Sequence, residues 1–266
     1  MTDWLALARA AAEDVRLTLA DLVTRSEREP VVGAGRGGDE TTAIDAAAED
    51  AVLRRLQSAR VDCTVVSEER GEVRIGRGGP PWVVLDPIDG SLNAKRGIGF
   101  FSLSLAVAAG PTMDDVEFGL VHDFGTHEEW SARRGEGASL NGDLLGGERP
   151  KAQIEILAFE ATRTSLVADK APAFVGLAHR LRIMGSLALS LCHLAAGRVD
   201  AVCSLKPARA VDIAAAQLLV RERGLAIDLP EAPPFGEAPL DVIGRSRVVA
   251  AGTAELCAQL FAALSA

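Results

Sequence analysis

A short apolar run, Trp82-Val83-Val84-Leu85, leads into Asp86-Pro87-Ile88-Asp89-Gly90-Ser91, which carries two carboxylates three residues apart, then a glycine and a hydroxyl. Hard divalent cations take clustered oxygen donors, and phosphates take exposed backbone N–H groups. Pro87 and Gly90 favour a turn in which Asp86 and Asp89 converge with the Ile88 carbonyl between them. Such a site suits Mg²⁺, which keeps waters and takes few carboxylates per ion. A helix starting near Gly90 would point its free N–H groups into the same space. The hexapeptide fits an ordinary surface turn equally well. Glu68-Glu69 closes another strand-like run, and ligands of α/β proteins gather at the carboxyl ends of strands. Read alone, that pair is a solvated charge pair. Asp212 opens an apolar helix, and Asp45 lies one turn into another. At such positions an acid serves as an N-cap or complements the helix dipole.

The elements that must position these residues follow from periodicity. Residues 3–28 read as one amphipathic helix, with Leu5, Ala8, Ala12, Val15, Leu19 and Leu22 on one face. The segment 33–38, with glycines at 33, 35, 37 and 38, reads as a flexible loop. A second helix spans about 42–59, with Thr41 or Thr42 as N-cap. Strand-like runs follow at 63–66, 82–85, 101–108, 116–121 and 128–132, and Asn141-Gly142 signals a type I′ hairpin. Two helices followed by many strands is an α+β layout. Beyond a boundary near 145–152 the pattern alternates: strand 154–159, helix 187–196, strand 201–204, helix 212–224, strand 248–251 and helix 255–264. That is an α/β pattern. The division expected is an N-terminal half, 1–148, with an antiparallel or mixed sheet, and a smaller α/β half, 149–266.

Composition bounds the function. The 266 residues are 48% hydrophobic and contain no tyrosine, so Ala, Leu and Val must fill the core. A formal net charge of −9 argues against a nucleic-acid or anionic-membrane partner, which calls for a basic stripe. It does not argue against anionic substrates, because bound cations invert the local field. Cys63, Cys192, Cys203 and Cys257 form no C-x-x-C pair, which fits buried thiols in a reducing cytoplasm. No secretory leader pattern and no apolar run of spanning length is present, so a cytoplasmic location is expected.

Taken together, the motifs resemble those of the inositol monophosphatase family of Mg²⁺-dependent phosphatases. Glu68, then Asp86 to Ser91 with Asn93, then Asp212-Ile213-Ala214-Ala215 stand in that family's order. Thr42-Ala43-Ile44-Asp45 with Ala48-Glu49-Asp50 resembles its first acidic helix, and Gly135 to Gly142 its hairpin. Gly185-Ser186 and the stretch through Ala196-Gly197-Arg198-Val199-Asp200-Ala201 resemble its second-domain helix and strand. The resemblance covers nearly the whole chain. It is nearest to archaeal-type members that also hydrolyse fructose 1,6-bisphosphate, through Val32-Gly33-x-Gly35 and the stretch Gly97 to Leu105.

The resemblance implies a layered α/β/α/β/α sugar-phosphatase fold and two or three Mg²⁺ ions held by Glu68, Asp86, Asp89, Asp212 and the Ile88 carbonyl. Such ions neutralise phosphate charge, lower the pKa of a water and stabilise the leaving alkoxide. Ser91 and Asp45 would orient that water for direct attack, with Glu68 beside it. Gly90 and Ser91 amides would hold phosphate oxygens, and Gly185 and Ser186 would line the substrate. The 33–38 segment with Asp39 would be a flap. Ala94 and Val211 stand where the family often has aromatics, and Ser91 where it more often has threonine. Ser204 stands where inositol-specific members carry a glutamate, followed by Lys206 and Arg209. Loss of an acceptor and gain of two cations favour a second anionic group on the substrate. The implied activity is hydrolysis of inositol 1-phosphate, fructose 1,6-bisphosphate or both. Alternatives are a 3′-phosphoadenosine 5′-phosphate or histidinol-phosphate phosphatase, and a metal-binding regulator without activity. The family commonly forms homodimers, and one is expected here.

Overall fold

The computed structural model describes residues 2–147, 149–160 and 163–265. The first half runs α1 (Trp4–Asp21), α2 (Arg25–Arg28), β1 (Val31–Ala34), β2 (Glu40–Thr42), α3 (Ala43–Ser58), β3 (Cys63–Ser67), β4 (Gly71–Ile75), β5 (Trp82–Asp89), α4 (Ser91–Arg96), β6 (Ser102–Ala108), β7 (Val116–Asp123), β8 (Glu129–Arg133), β9 (Gly137–Leu140) and β10 (Asp143–Leu144). The second runs β11 (Ile154–Glu160), α5 (Thr164–Lys170), β12 (Ala178–Arg182), α6 (Leu187–Ala195), β13 (Ala201–Ser204), α7 (Ala210–Glu222), β14 (Ala226–Asp228), β15 (Val249–Ala251) and α8 (Ala254–Ser265).

An eight-stranded sheet, in the order β10-β9-β8-β7-β6-β5-β3-β4, and a five-stranded sheet, β12-β11-β13-β15-β14, form two of five layers. Both are mixed. In the first, only β3 and β5 run parallel. In the second, β11 pairs in parallel with β12 and β13, whereas β15 is antiparallel to its neighbours. Helices α1 and α3 cover the outer face of the large sheet, where Ala8, Ala11, Ala12, Ala48 and Ala51 are buried. Helices α6 and α7 fill the space between the sheets. Helix α8 packs on the far face of the small sheet. The order of layers is therefore α/β/α/β/α, as expected. The middle layer sits close to the large sheet because Gly119 on β7 has no side chain; a Cβ there would lie 2.7 Å from the Ala215 carbonyl of α7.

Several expectations need correction. The single helix expected over 3–28 is two. Thr24 accepts no place in a helix interior; its N–H and hydroxyl both donate to Glu27, a capping box that starts α2 afresh. The glycine-rich segment is not a free loop but the tip of the antiparallel hairpin β1–β2. The strand through Trp82 continues to Asp89, and its pairing with β6 slips between Asp86 and Asp89. Pro87 has no N–H to give to a ladder, so the slip falls where the sequence cannot pair. Asn141 and Gly142, with φ of 53° and 87°, make the tight turn expected between β9 and β10. The boundary near 148 separates the strands of the two sheets but not their packing, because α6 and α7 serve both.

Candidate metal centre

Parallel pairing of β3 with β5 sets Ser67, the last residue of β3, opposite Leu85, from which β5 runs on to Asp89. The next residues are Glu68 on one and Asp86 on the other. Asp212 arrives from the middle layer, on the first turn of α7. Carboxylate oxygens of Glu68, Asp86 and Asp212 lie within 4.8 Å of one another. Asp89 completes the strand end. Its Oδ2 accepts from the Ser186 hydroxyl and, at 2.8 Å, from the Ala188 N–H. These residues open onto a cavity of about 410 Å³ that Asp45, Ile88, Gly90 and Ser91 also line.

Helices α3 and α7 present their acids in the same way. Asp45 is the third residue of α3, and its Oδ2 accepts from the N–H and hydroxyl of Thr42. Asp212 is the third residue of α7, and its Oδ2 accepts from the Arg209 N–H at 2.7 Å. One oxygen of each acid thus caps its helix; the second oxygen of Asp212 accepts from the Arg209 guanidinium at 2.8 Å. Asp45 Oδ1 is buried without a hydrogen-bond partner and lies in a residue that lines the cavity, so it is available to a group bound there. Asp212 is therefore not the N-cap that its place in the sequence suggests.

Burial and mutual repulsion make this a site short of positive charge. Burial pushes Glu68 up to about 8; Arg209 pulls against this, and Asp212 and Glu69 add to it. Asp86 lies well above the usual carboxylate range through burial, then through Glu68 and Asp89. Asp89 is pushed by burial to about 7 despite the hydrogen bond from Ser186. Glu69 is raised by burial to about 7 while Thr41 donates to it. An all-oxygen donor set with raised pKa values fits a hard divalent cation, which restores the charged forms. Glu68, Asp86, Asp89 and Asp212 would hold it.

Ser91 lies on the same cavity as Asp45 but is not bonded to it. Its hydroxyl donates to the Ile88 carbonyl at 2.9 Å, the acceptor three residues back at the start of α4. Lys95, one turn further along α4, lies 3.7 Å from Asp45. Ser186 does not face the cavity. It is 1% exposed and N-caps α6 while donating to Asp89, so it positions a carboxylate. Gly185 does line the cavity. Ser204 lines it too, but its hydroxyl accepts from the Val248 N–H within the small sheet. Lys206 is exposed and reaches Asp39 at 3.3 Å. Arg209 is no loop cation. Its side chain is buried among Glu68, at 2.5 Å, and Asp212, at 2.8 Å. Burial alone would lower its pKa, and those two acids more than reverse that.

The hairpin tip leans over this floor. The N–H groups of Arg36 and Gly37 donate to the Glu69 and Glu68 carbonyls, and Arg245 donates to the Gly37 carbonyl. Sequence reasoning passed over Arg245, Lys95 and Glu160. Glu160 accepts from the Gly185 N–H at 2.9 Å and the Ser190 hydroxyl at 2.7 Å, fixing the turn from which Ser186 reaches Asp89. The signal was present: Glu160 closes an apolar run just as Glu68 and Asp86 do.

The chain matches the model of the inositol monophosphatase family over residues 3–265. It is 33% identical to a fructose-1,6-bisphosphatase/inositol-1-monophosphatase of Methanothermobacter thermautotrophicus, over 95% of this chain and 93% of that one. A protein of the same description from Archaeoglobus fulgidus is 34% identical, over 94% and 93% of the two chains. The fold superposes on the crystal structure of an inositol monophosphatase–fructose 1,6-bisphosphatase with a TM-score of 0.82 and 28% identity, covering 98% of this chain and all of that one.

Proposed function

The chain belongs to the inositol monophosphatase family, and from that premise we propose that it hydrolyses inositol 1-phosphate, fructose 1,6-bisphosphate or both, using two or three Mg²⁺ ions. The observation that carries the reading is the meeting of Glu68, Asp86 and Asp212 from three separate elements within 4.8 Å, with Asp89 alongside. Divalent ions bound there would neutralise phosphate charge, make water a better nucleophile and stabilise the leaving oxygen.

The protein's own groups do the positioning. Backbone N–H groups of Gly90 and Ser91, at the start of α4, face phosphate oxygens. Asp45 has a free buried oxygen to accept a proton from water, and Ser91 has a hydroxyl on the same wall. Ser186 and the Ala188 N–H fix one oxygen of Asp89 and so aim the other. The hairpin tip excludes solvent from above as a flap does. Lys206 and Arg245 stand at the rim and favour a substrate with a second anionic group. The working form is proposed to be a cytoplasmic homodimer; four buried free thiols suit a reducing compartment. Sedimentation tests the oligomeric state.

The decisive experiment is phosphate release with and without Mg²⁺ from inositol 1-phosphate, fructose 1,6-bisphosphate, histidinol phosphate and 3′-phosphoadenosine 5′-phosphate. Asp89→Asn serves as control. Equal inertness of wild type and variant across the panel rejects the enzyme reading. Preference for one of the last two substrates rejects the sugar-phosphate reading alone.

A further inference from the structure

We infer that Arg209 is a counter-ion of the carboxylate centre that competes with a divalent cation for Glu68 and Asp212, and that Arg209 thereby sets the metal affinity of the site. This rests on the metal-dependent phosphatase reading above. The guanidinium donates to Glu68 Oε1 at 2.5 Å and to Asp212 Oδ1 at 2.8 Å. Those two residues, with Asp86, form the one cluster of converging carboxylates among the described residues. A guanidinium and a divalent ion cannot both occupy the space between Glu68 and Asp212: they compete for the same lone pairs and repel each other in a buried setting. Arginine suits the placeholder role, since its planar fork joins two carboxylates at once and it never loses its charge.

The displaced group has somewhere to go. Asp39, on the hairpin tip and outside the cluster, already lies 3.5 Å from Arg209 Nη1. A Cβ on Gly37 would come within 2.5 Å of the same nitrogen, so the guanidinium packs directly beneath the tip. Lys206 offers the contrast. It also touches Asp39, but it is half exposed and reaches none of the three cluster acids.

The test is calorimetric titration of chelator-stripped protein with Mn²⁺, at one pH and ionic strength, for wild type, Arg209→Gln, Arg209→Lys and Lys206→Gln. Each is paired with melting curves with and without the ion. Arg209→Gln should bind Mn²⁺ about tenfold more tightly or better, a gain worth about 1.4 kcal/mol. Its metal-free form should melt lower and its metal-saturated form close to wild type. Lys206→Gln, which removes the same charge from a screened position, should change affinity no more than about threefold. Arg209→Lys should fall between wild type and Arg209→Gln, and it keeps the test open if the glutamine variant fails to fold. Equal or weaker Mn²⁺ binding by a folded Arg209 variant overturns the inference and leaves the metal centre standing. No Mn²⁺ binding by wild type overturns the metal-centre reading itself.

Discussion

Gly90 joins Asp89 to the start of α4, and replacing it with alanine should damage stability and activity together. Its φ is +91°, a conformation that costs an L-residue about 1–2 kcal/mol. An added Cβ would also lie 3.0 Å from the Phe100 carbonyl and 3.1 Å from the Gly185 carbonyl. Neither oxygen can give way freely. The Phe100 carbonyl accepts from Asn93 Nδ2 at 2.8 Å, and Gly185 is tied by its N–H to Glu160. Crowding of this kind adds about 1–3 kcal/mol. Gly97, at the other end of α4, supplies the control. Its φ is +71°, yet nothing lies within 4 Å of the Cβ it lacks, so Gly97→Ala bears only the backbone cost. Urea denaturation of the two variants, both saturated with Mg²⁺, should therefore differ by about 1–3 kcal/mol. The clash pushes Asp89 and the Ser91 amide away from the cavity, and a misplacement of that size lowers kcat/KM about 100-fold. Gly97→Ala should keep wild-type kcat/KM. If Gly90→Ala matches Gly97→Ala in stability, or keeps full activity, the crowding argument and the placement of the phosphate-facing amides are both wrong.

The raised carboxylates predict an unusual pH dependence of the metal-free protein. Glu68, Glu69 and Asp89 hold protons in the fold up to about 7–8, whereas in the unfolded chain they lose them near the ordinary value of about 4. The folded state then binds more protons, so stability falls as pH rises from about 4 to 8. Melting temperature in chelator should decline across that window, and the increase produced by Mg²⁺ should grow with pH. A chelated protein that becomes more stable from pH 5 to 8 refutes this. Ser186→Ala removes one of two donors to Asp89 Oδ2 and should weaken Mg²⁺ binding about tenfold, read by calorimetry, with the fold intact. Unchanged affinity would mean that the Ala188 N–H alone suffices. Burial raises the thiols of Cys63 to about 11 and Cys257 to about 12, so native protein should not react with a thiol reagent at pH 8, and denatured protein should show four reactive thiols. Rapid native labelling would contradict the packing of the cores.

What the sequence displayed best was contiguous. Asp86 to Ser91 announces itself because its donors, its turn-formers and its hydroxyl are neighbours. The strands with apolar faces and the long amphipathic helices were equally readable, since burial imprints a period on them. Elements with little buried surface left no such imprint. Strand β4 alternates exposed Glu72 and Arg74 with Val73 and Ile75 over only five residues, and β12 carries His179, Arg180 and Arg182 with no such alternation; both are edge strands whose polar residues protect an open edge. The break after α1 depended on one threonine finding a glutamate three residues on. Arg209 is the instructive case. Its spacing from Asp212 was visible, but its partner Glu68 lies far away in the chain, and nothing local says that the two strand ends and the first turn of α7 will meet. Family resemblance grouped acids that the fold brings to one cavity but carried no information on the cation between them.

The layer order explains why that meeting point is where chemistry sits. Glu68 and Asp86 come from the large sheet, Asp45 from the outer helical layer and Asp212 from the middle one. None of these layers holds the site alone. Glu68, Asp86 and Asp212, gathered within 4.8 Å, repel one another, so the site costs free energy that the packing around it must offset. The packing that does so is the largest core of the molecule, which α6 and α7 share with both sheets. Seating α7 against Gly119 is thus the same event as bringing Asp212 to Glu68, and the apolar surface buried by the first drives the repulsion accepted in the second. A cation relieves what remains, whether it is the guanidinium of Arg209 or a divalent ion. It follows that a cation held by Glu68, Asp86 and Asp212 would be linked to global stability through α7, which packs in the core between the two sheets.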